Sequence, residues 1–259
     1  MDLHFKSLGR GYPLIILHGL FGMLDNWKSI GAKLSKQFTV FLIDQRNHGK
    51  SFHHPDMNYQ LLAQDIKKFM ENHWVFEAFV IGHSMGGKVA MQLALNHPDL
   101  VTKLIVVDIA PKKYNDKQDK LLEIMLKIEP GSYSERKALL SEFEKEIGDE
   151  TVSRLLSKNL KRNREGTYSW KMNVSSIYKN YQYLLNAPQG DHKYESPSLF
   201  VKGSNSNYII PGDEDLIKLK FPDATFKTIE GAGHWVHIDS PDRFVLTIQN
   251  FLNADSINL

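Results

Sequence analysis

The chain has 259 residues, with 32 lysines and arginines against 30 acidic groups, 11 histidines and no cysteine. A formal net charge of +2 is too balanced for a dedicated nucleic-acid binder or a polybasic membrane anchor, and 42% hydrophobic with 11% aromatic content excludes a disordered chain. The lack of thiols excludes disulfides, thiolate metal sites and a cysteine nucleophile, and it fits a reducing compartment.

Met1 to Lys6 holds no apolar signal core, and no apolar run approaches the ~18–20 residues of a membrane span. The expectation is a soluble, cytoplasmic protein. Leu3 to Leu8 reads as an edge strand. Leu14–Leu17, Phe38–Ile43, Ala78–Ile81, Lys103–Val107, Ser198–Val201 and Ala224–Ile229 are short apolar runs suited to strands buried on both faces of a parallel sheet. Helical spacing separates them: Leu61, Leu62, Ile66, Phe69 and Met70 after Asn58, then Val89, Leu93 and Leu95 before Pro98, and Phe244, Val245, Ile248, Phe251 and Leu252 near the end. The alternation predicts an α/β fold, a mostly parallel sheet with helices on both faces. From 112 to 188 no strong strand run appears, and basic residues exceed acidic ones. That stretch is too long for a plain loop and predicts a helical insertion, a lid over a site.

Gly82-His83-Ser84-Met85-Gly86 lies between a predicted strand and a predicted helix. This G-x-S-x-G pattern in that context marks a serine nucleophile on a tight turn, its hydroxyl projecting from the carboxyl edge of the sheet. Side chains at the flanking glycines would collide with strand and helix, and Gly87 lets the helix pack closely. The helix N-terminus adds positive partial charge where an oxyanion would form. The first long run ends in His18-Gly19-Leu20-Phe21-Gly22, which predicts a second oxyanion donor from the amide of Leu20 beside that of Met85. His18 is assigned to holding the loop.

A general base must come from a late loop at the same sheet edge. His234, in Gly231-Ala232-Gly233-His234-Trp235, meets this condition and is favoured over His237. The acid usually follows the next-to-last strand, but there the chain reads Gly203-Ser204-Asn205-Ser206, with Ser206 at the expected place. Asp108, ending the run Ile105-Val106-Val107, is a second carboxylate at the same edge and is favoured over Asp213 and Asp215, which read as a helix start. Phe21, Met85, Tyr208 and Trp235 adjoin these positions and are candidates for an apolar acyl pocket.

Together these segments, with Asp25-Asn26-Trp27 and Asp44-Gln45-Arg46-Asn47-His48-Gly49, resemble the α/β-hydrolase superfamily, specifically its small serine esterases of the YbfF type. The resemblance covers the core, 1–111 and 189–259, and is weak across 112–188. It implies an eight-stranded sheet, a helical cap after the sixth strand and hydrolysis through an acyl-serine. In this subgroup the acid follows the sixth strand, which supports Asp108, and Ser206 is implied as an auxiliary member of the network. Asp44 and Arg46 match an element that shapes a loop.

The sequence thus predicts a hydrolase of esters or thioesters, acyl-CoA included, that needs no metal or organic cofactor: Ser84 attacks, His234 moves the proton, Asp108 holds His234, and the Leu20 and Met85 amides receive the oxyanion. The same scaffold also admits a cofactor-free haloperoxidase or perhydrolase, a carbon–carbon hydrolase or lyase, and a ligand-binding receptor.

Overall fold

The computed structural model describes residues 2–115, 119–190 and 192–254. In chain order it forms β1 (Phe5–Leu8), β2 (Tyr12–Leu17), α1 (Lys28–Leu34), β3 (Phe38–Ile43), α2 (Tyr59–Asn72), β4 (Ala78–His83), α3 (Met85–Asn96) and β5 (Val101–Val107). Next come α4 (Asp119–Lys127), α5 (Arg136–Ile147), α6 (Glu150–Ser157), β6 (Leu160–Arg162), β7 (Tyr168–Trp170) and α7 (Val174–Leu185). The chain finishes with β8 (Ser198–Gly203), α8 (Asp213–Lys220), β9 (Ala224–Ile229), α9 (Val236–Asp239) and α10 (Pro241–Leu252).

Seven strands make one sheet in the order β1-β3-β2-β4-β5-β8-β9. Only β1 runs antiparallel to its neighbour; the other pairs are parallel. These are the six apolar runs and the edge strand read from the residues. The eighth strand, implied by resemblance alone, does not occur among the described residues, so the helical segment follows the fifth strand of the sheet.

The apolar runs are continuous because both faces are covered. Leu14 and Ile16 pack with Trp27, Ile30 and Leu34 on one side and share that cluster with Phe244 and Ile248 of α10. Ile15 and Leu17 point the other way, into a cluster with Leu62 and Ile66 of α2 and Val89 and Leu93 of α3. The period of two is that of a strand, yet neither half of it meets solvent. Asn58 starts α2 by accepting the Leu61 amide at 2.9 Å, satisfying one of the unpaired donors of the first turn.

Between β5 and β8, Leu122, Met125, Leu139, Phe143, Ile177 and Tyr181 are buried in the same cluster as α2 and α3. The helical insertion therefore shares the core of the sheet. Of the predicted stretch 112–188, residues 116–118 lie outside the described residues. The stretch is not wholly helical: Leu160–Arg162 pairs antiparallel with Tyr168–Trp170. Each strand has three residues and the turn between them carries charges and Gly166 at φ 88°, so no apolar run announced the hairpin. No helix among the described residues is long and apolar enough to cross a membrane.

From β2 the chain steps to β3 on one side and then works outward through β4, β5, β8 and β9 on the other. The order reverses between β2 and β4, and the crevice beyond the carboxyl ends of such strands is where open parallel sheets bind ligands. The loops following Leu17 and His83 meet there.

Candidate active site

Strand β4 passes into α3 through Ser84 alone, whose backbone sits at φ 52°, ψ −118°. This is costly for a residue with a Cβ and is held by the Ser84 amide donating to the Val107 carbonyl at 3.0 Å. A Cβ on Gly82 would lie 2.2 Å from the Gly86 carbonyl oxygen, and one on Gly86 would lie 2.4 Å from that of Leu17. Both contacts are with backbone, so neither position admits a side chain. Asp108 at φ 53° and Phe21 at φ 63° are also in the left-handed region, so three of the five non-glycine residues with positive φ among the described residues lie in the turns that follow β2, β4 and β5.

Leu20 and Met85 flank Ser84, and their side chains line the same cavity. The turn that carries Leu20 is closed by the Gly22 amide on the Gly19 carbonyl at 3.0 Å. Among the described residues neither the Leu20 nor the Met85 amide donates to a protein acceptor, leaving both open to an anion. His18 holds the loop from beneath. Its Nε2 accepts the Gln45 amide at 3.1 Å, which leaves the proton on Nδ1 to donate to the Gly19 carbonyl at 2.9 Å. Burial pushes its pKa down to about 4, so it is a neutral strut.

Asp108 immediately follows β5 and is fully buried. Its Oδ2 accepts from His234 Nδ1 at 2.7 Å and from the Ser206 hydroxyl, and its Oδ1 accepts the Gly203 amide at 3.2 Å. Three donors thus satisfy a carboxylate that would be costly to bury alone. With Nδ1 donating, His234 presents Nε2 as the acceptor a general base requires. The loop carrying His234 lies against the end of β8, where a Cβ on Gly203 would come 2.3 Å from the Ala232 carbonyl. His83 Nε2 donates to the His234 carbonyl at 2.9 Å, tying the residue before Ser84 to that loop. The Tyr208 ring stacks on His234 at 3.9 Å. His237 instead stacks on Trp27 at 4.0 Å in the core, and burial pushes its pKa down to about 3.

Asp213 is taken up by Lys112 at 2.6 Å and begins α8, as its sequence context suggested. Asp44 accepts the Leu24 amide at 2.7 Å and the Lys50 amide at 3.0 Å, while Arg46 pairs with Asp65, donating to Oδ1 at 2.8 Å. Both shape the loop after β3.

The crevice holds a narrow, mostly apolar cavity of about 40 Å³, bordered by Ser84, Leu20, Met85 and Tyr208. Two expected wall residues are elsewhere. Phe21 is 5% exposed and packs in the core, at a positive φ that turns the chain there, and its carbonyl accepts from Asn159 Nδ2 at 2.7 Å. Trp235 borders a separate small crevice with Gly22, Asn26 and Leu155. The remaining walls are Tyr59, Lys88, Ile109, Tyr114 and Tyr181 with leucines of α7, which sequence reasoning did not select. The available signal was Lys88, a lone charge in the otherwise apolar helix one turn beyond Ser84.

A family model described as the alpha/beta hydrolase fold matches residues 12–241. The chain is 32% identical to esterase YbfF of Escherichia coli over 93% of each chain. It is 36% identical to the sn-1-specific diacylglycerol lipase ABHD11 of Danio rerio, over 96% of this chain and 80% of that one. Among solved structures it is similar to a marine microorganism esterase, with a TM-score of 0.94 and 42% identity over 96% of this chain and 99% of that one. The chain belongs to the α/β-hydrolase fold family, within its esterases of the YbfF type.

Proposed function

We propose that this ester hydrolase cleaves carboxylic esters with small acyl groups through an acyl-Ser84 intermediate. The observation that carries the reading is the His234 Nδ1–Asp108 Oδ2 hydrogen bond of 2.7 Å, formed by a histidine whose loop is tied to the residue preceding Ser84. Asp108 fixes the tautomer of His234 and balances the imidazolium. Nε2 of His234 takes the Ser84 proton as Oγ attacks the carbonyl. The Leu20 and Met85 amides receive the oxyanion. His234 then protonates the departing alcohol, activates water on the acyl-enzyme and returns the proton to Ser84 as the acid leaves. Residues 112–188 act as a cap, supplying the far wall of the cavity through Tyr181, Leu184 and Leu185. The cavity of about 40 Å³ suits a short acyl group.

A second reading extends the leaving group to anionic thiols such as coenzyme A. It is favoured by a cleft of about 310 Å³ where Arg136, Lys158 and Lys171 gather beside Met23, Asp25 and Asn26, three cations against one carboxylate. The relatives' names speak for esters, so esters come first. One experiment covers both: a panel of short esters and acyl thioesters assayed with the wild type and with Ser84→Ala. Loss of the nucleophile is expected to lower kcat by at least about 10⁴-fold on every substrate turned over. Unchanged hydrolysis in the variant overturns the mechanism. A wild type that turns over none of the panel, yet binds ligand or halogenates with peroxide, points instead to the receptor or haloperoxidase chemistry the scaffold also admits.

A further inference from the structure

Lys88 has no part in the mechanism above, yet it is a charged side chain only 2% exposed that borders the same cavity as Ser84. Its ammonium donates to the carbonyls of Leu185 at 3.0 Å and Asn186 at 2.7 Å, at the end of α7. Two ring faces complete its surroundings, Tyr114 at 4.8 Å and Tyr59 at 5.5 Å from Nζ. No carboxylate of the described residues pairs with it, and burial alone lowers its pKa to about 7. Two neutral carbonyls use two of its three protons, and among the described residues the third has no acceptor.

The phenols of the cavity are already engaged: Tyr59 donates to the Leu184 carbonyl at 2.6 Å and Tyr114 to the Tyr208 carbonyl at 2.6 Å. If the ammonium served only to tie α3 to α7, an uncharged donor would do so without the desolvation cost of a buried cation. A cation kept without a counter-charge, one helical turn from the nucleophile and inside the acyl cavity, is complementary to an anion that arrives with the substrate.

We infer that Lys88 selects acyl groups ending in a carboxylate, so that the preferred substrates are monoesters of short dicarboxylic acids. The inference rests on the acyl-Ser84 reading and names its substrate class. The ester carbonyl sits at Ser84, the hydrocarbon of the acyl chain lies along Met85 and the leucines of α7, and the terminal carboxylate accepts the free N–H of Lys88.

The test compares kcat/KM for monoethyl succinate and for ethyl 4-methylpentanoate, in which an isopropyl group replaces the carboxylate at similar size, by release of ethanol. Wild type is expected to favour the half-ester by about tenfold or more, and Lys88→Met to lose or reverse that preference. Both substrates are read on one preparation, so a reduced folded fraction cancels from the ratio. Should the variant not fold, competition on the wild type decides: succinate is expected to inhibit turnover of the neutral ester at lower concentration than 4-methylpentanoate does. A wild type that hydrolyses the neutral ester with equal or greater efficiency overturns this inference alone. So does an unchanged ratio in Lys88→Met, or, in the competition, stronger inhibition by 4-methylpentanoate. Turnover of neither ester removes the ester-hydrolase reading and this inference with it.

Discussion

Asp108 is the residue on which the site geometry turns. Its carboxylate has three donors and only one of them, His234, becomes charged in the proposed cycle. The Ser206 hydroxyl supports the carboxylate without touching the imidazole, so it positions Asp108 and adds no charge of its own. The two residues are therefore expected to differ in weight. Asp108→Asn leaves the shape intact but offers His234 Nδ1 an amide, which removes the imidazolium's counter-charge and disturbs its tautomer; kcat is expected to fall by about 10³–10⁴-fold. Ser206→Ala removes one of three hydrogen bonds and is expected to lower kcat by about tenfold or less, with KM little changed. Steady-state kinetics of both variants on one neutral ester check this, and an equal loss in the two would show that Ser206 carries part of the charge balance. At this scale the sequence was legible wherever backbone dictated the residue type. Gly82, Gly86 and Gly203 stand where a Cβ would strike a carbonyl, so glycine spacing, set between a strand and a helix, marked the turn at Ser84 and the loops around it. The pocket was not legible, because a neighbour in sequence need not point the same way. Phe21 adjoins Leu20 yet packs into the core, whereas Lys88 meets Leu185, 97 residues away, in the wall of the cavity.

At the scale of elements, the site depends on how closely α3 approaches β2. Gly86 sets that distance, because its Cα faces the carbonyls of Leu17 and His18, and a Cβ would stand 2.4 and 2.5 Å from their oxygens. These are backbone atoms, that of Leu17 in a strand paired on both sides and that of His18 just beyond it, and they have no rotamer into which to retreat. Gly86→Ala must therefore push α3 away from the sheet, shifting the Met85 amide relative to that of Leu20. We expect a stability loss of about 3 kcal/mol or more in urea unfolding, with a fall in kcat for the protein that remains folded. Gly131→Ala is the control: its Cβ would meet nothing nearer than 3.9 Å, and its stability is expected to stay within about 0.5 kcal/mol of wild type. A tolerated Gly86→Ala would mean that the helix has slack the close contacts deny. The same scale explains what the strand pattern revealed. The six parallel strands of the main sheet were visible as apolar runs and most are buried on both faces, whereas the edge strand β1 mixes polar and apolar residues and β6 and β7 have only three residues each.

Across the whole molecule, the histidines link function to acid stability. His18, His48, His83 and His237 are all buried, and burial is the first cause of a lowered pKa in each. The folded values are about 4 for His18 and about 3 for His48 and His237, against an ordinary value of 6.5, while that of His83 lies well below 6.5. Among the described residues, His48 Nε2 and His237 Nδ1 have no protein acceptor or donor within reach, so no hydrogen bond there offsets the burial of a charged ring. The sign follows from which state holds more protons. Above pH 6.5 both folded and unfolded chains carry these rings neutral, and the full stability is present. As pH falls through 6.5 the unfolded chain takes up protons that the folded one refuses, so stability drops and continues to drop until the folded values near 4 and 3 are reached. Each ring contributes a slope of at most about 1.4 kcal/mol per pH unit, so the four together set an upper limit of about 5.5 kcal/mol per pH unit. The urea midpoint is accordingly expected to decline steeply between pH 6 and pH 4.5, ahead of most carboxylates, whose ordinary values lie near 4. His237→Phe keeps a ring to stack on Trp27 while removing one titrating group, and it is expected to lessen the slope by about one proton. A midpoint that stays level from pH 7 to pH 5 would contradict the neutral, buried state of these rings. A slope unaltered by His237→Phe would remove His237 from the set. Because His18 and His83 brace the two loops that carry Leu20 and His234, the acid transition should take ester turnover with it rather than leave an active core behind.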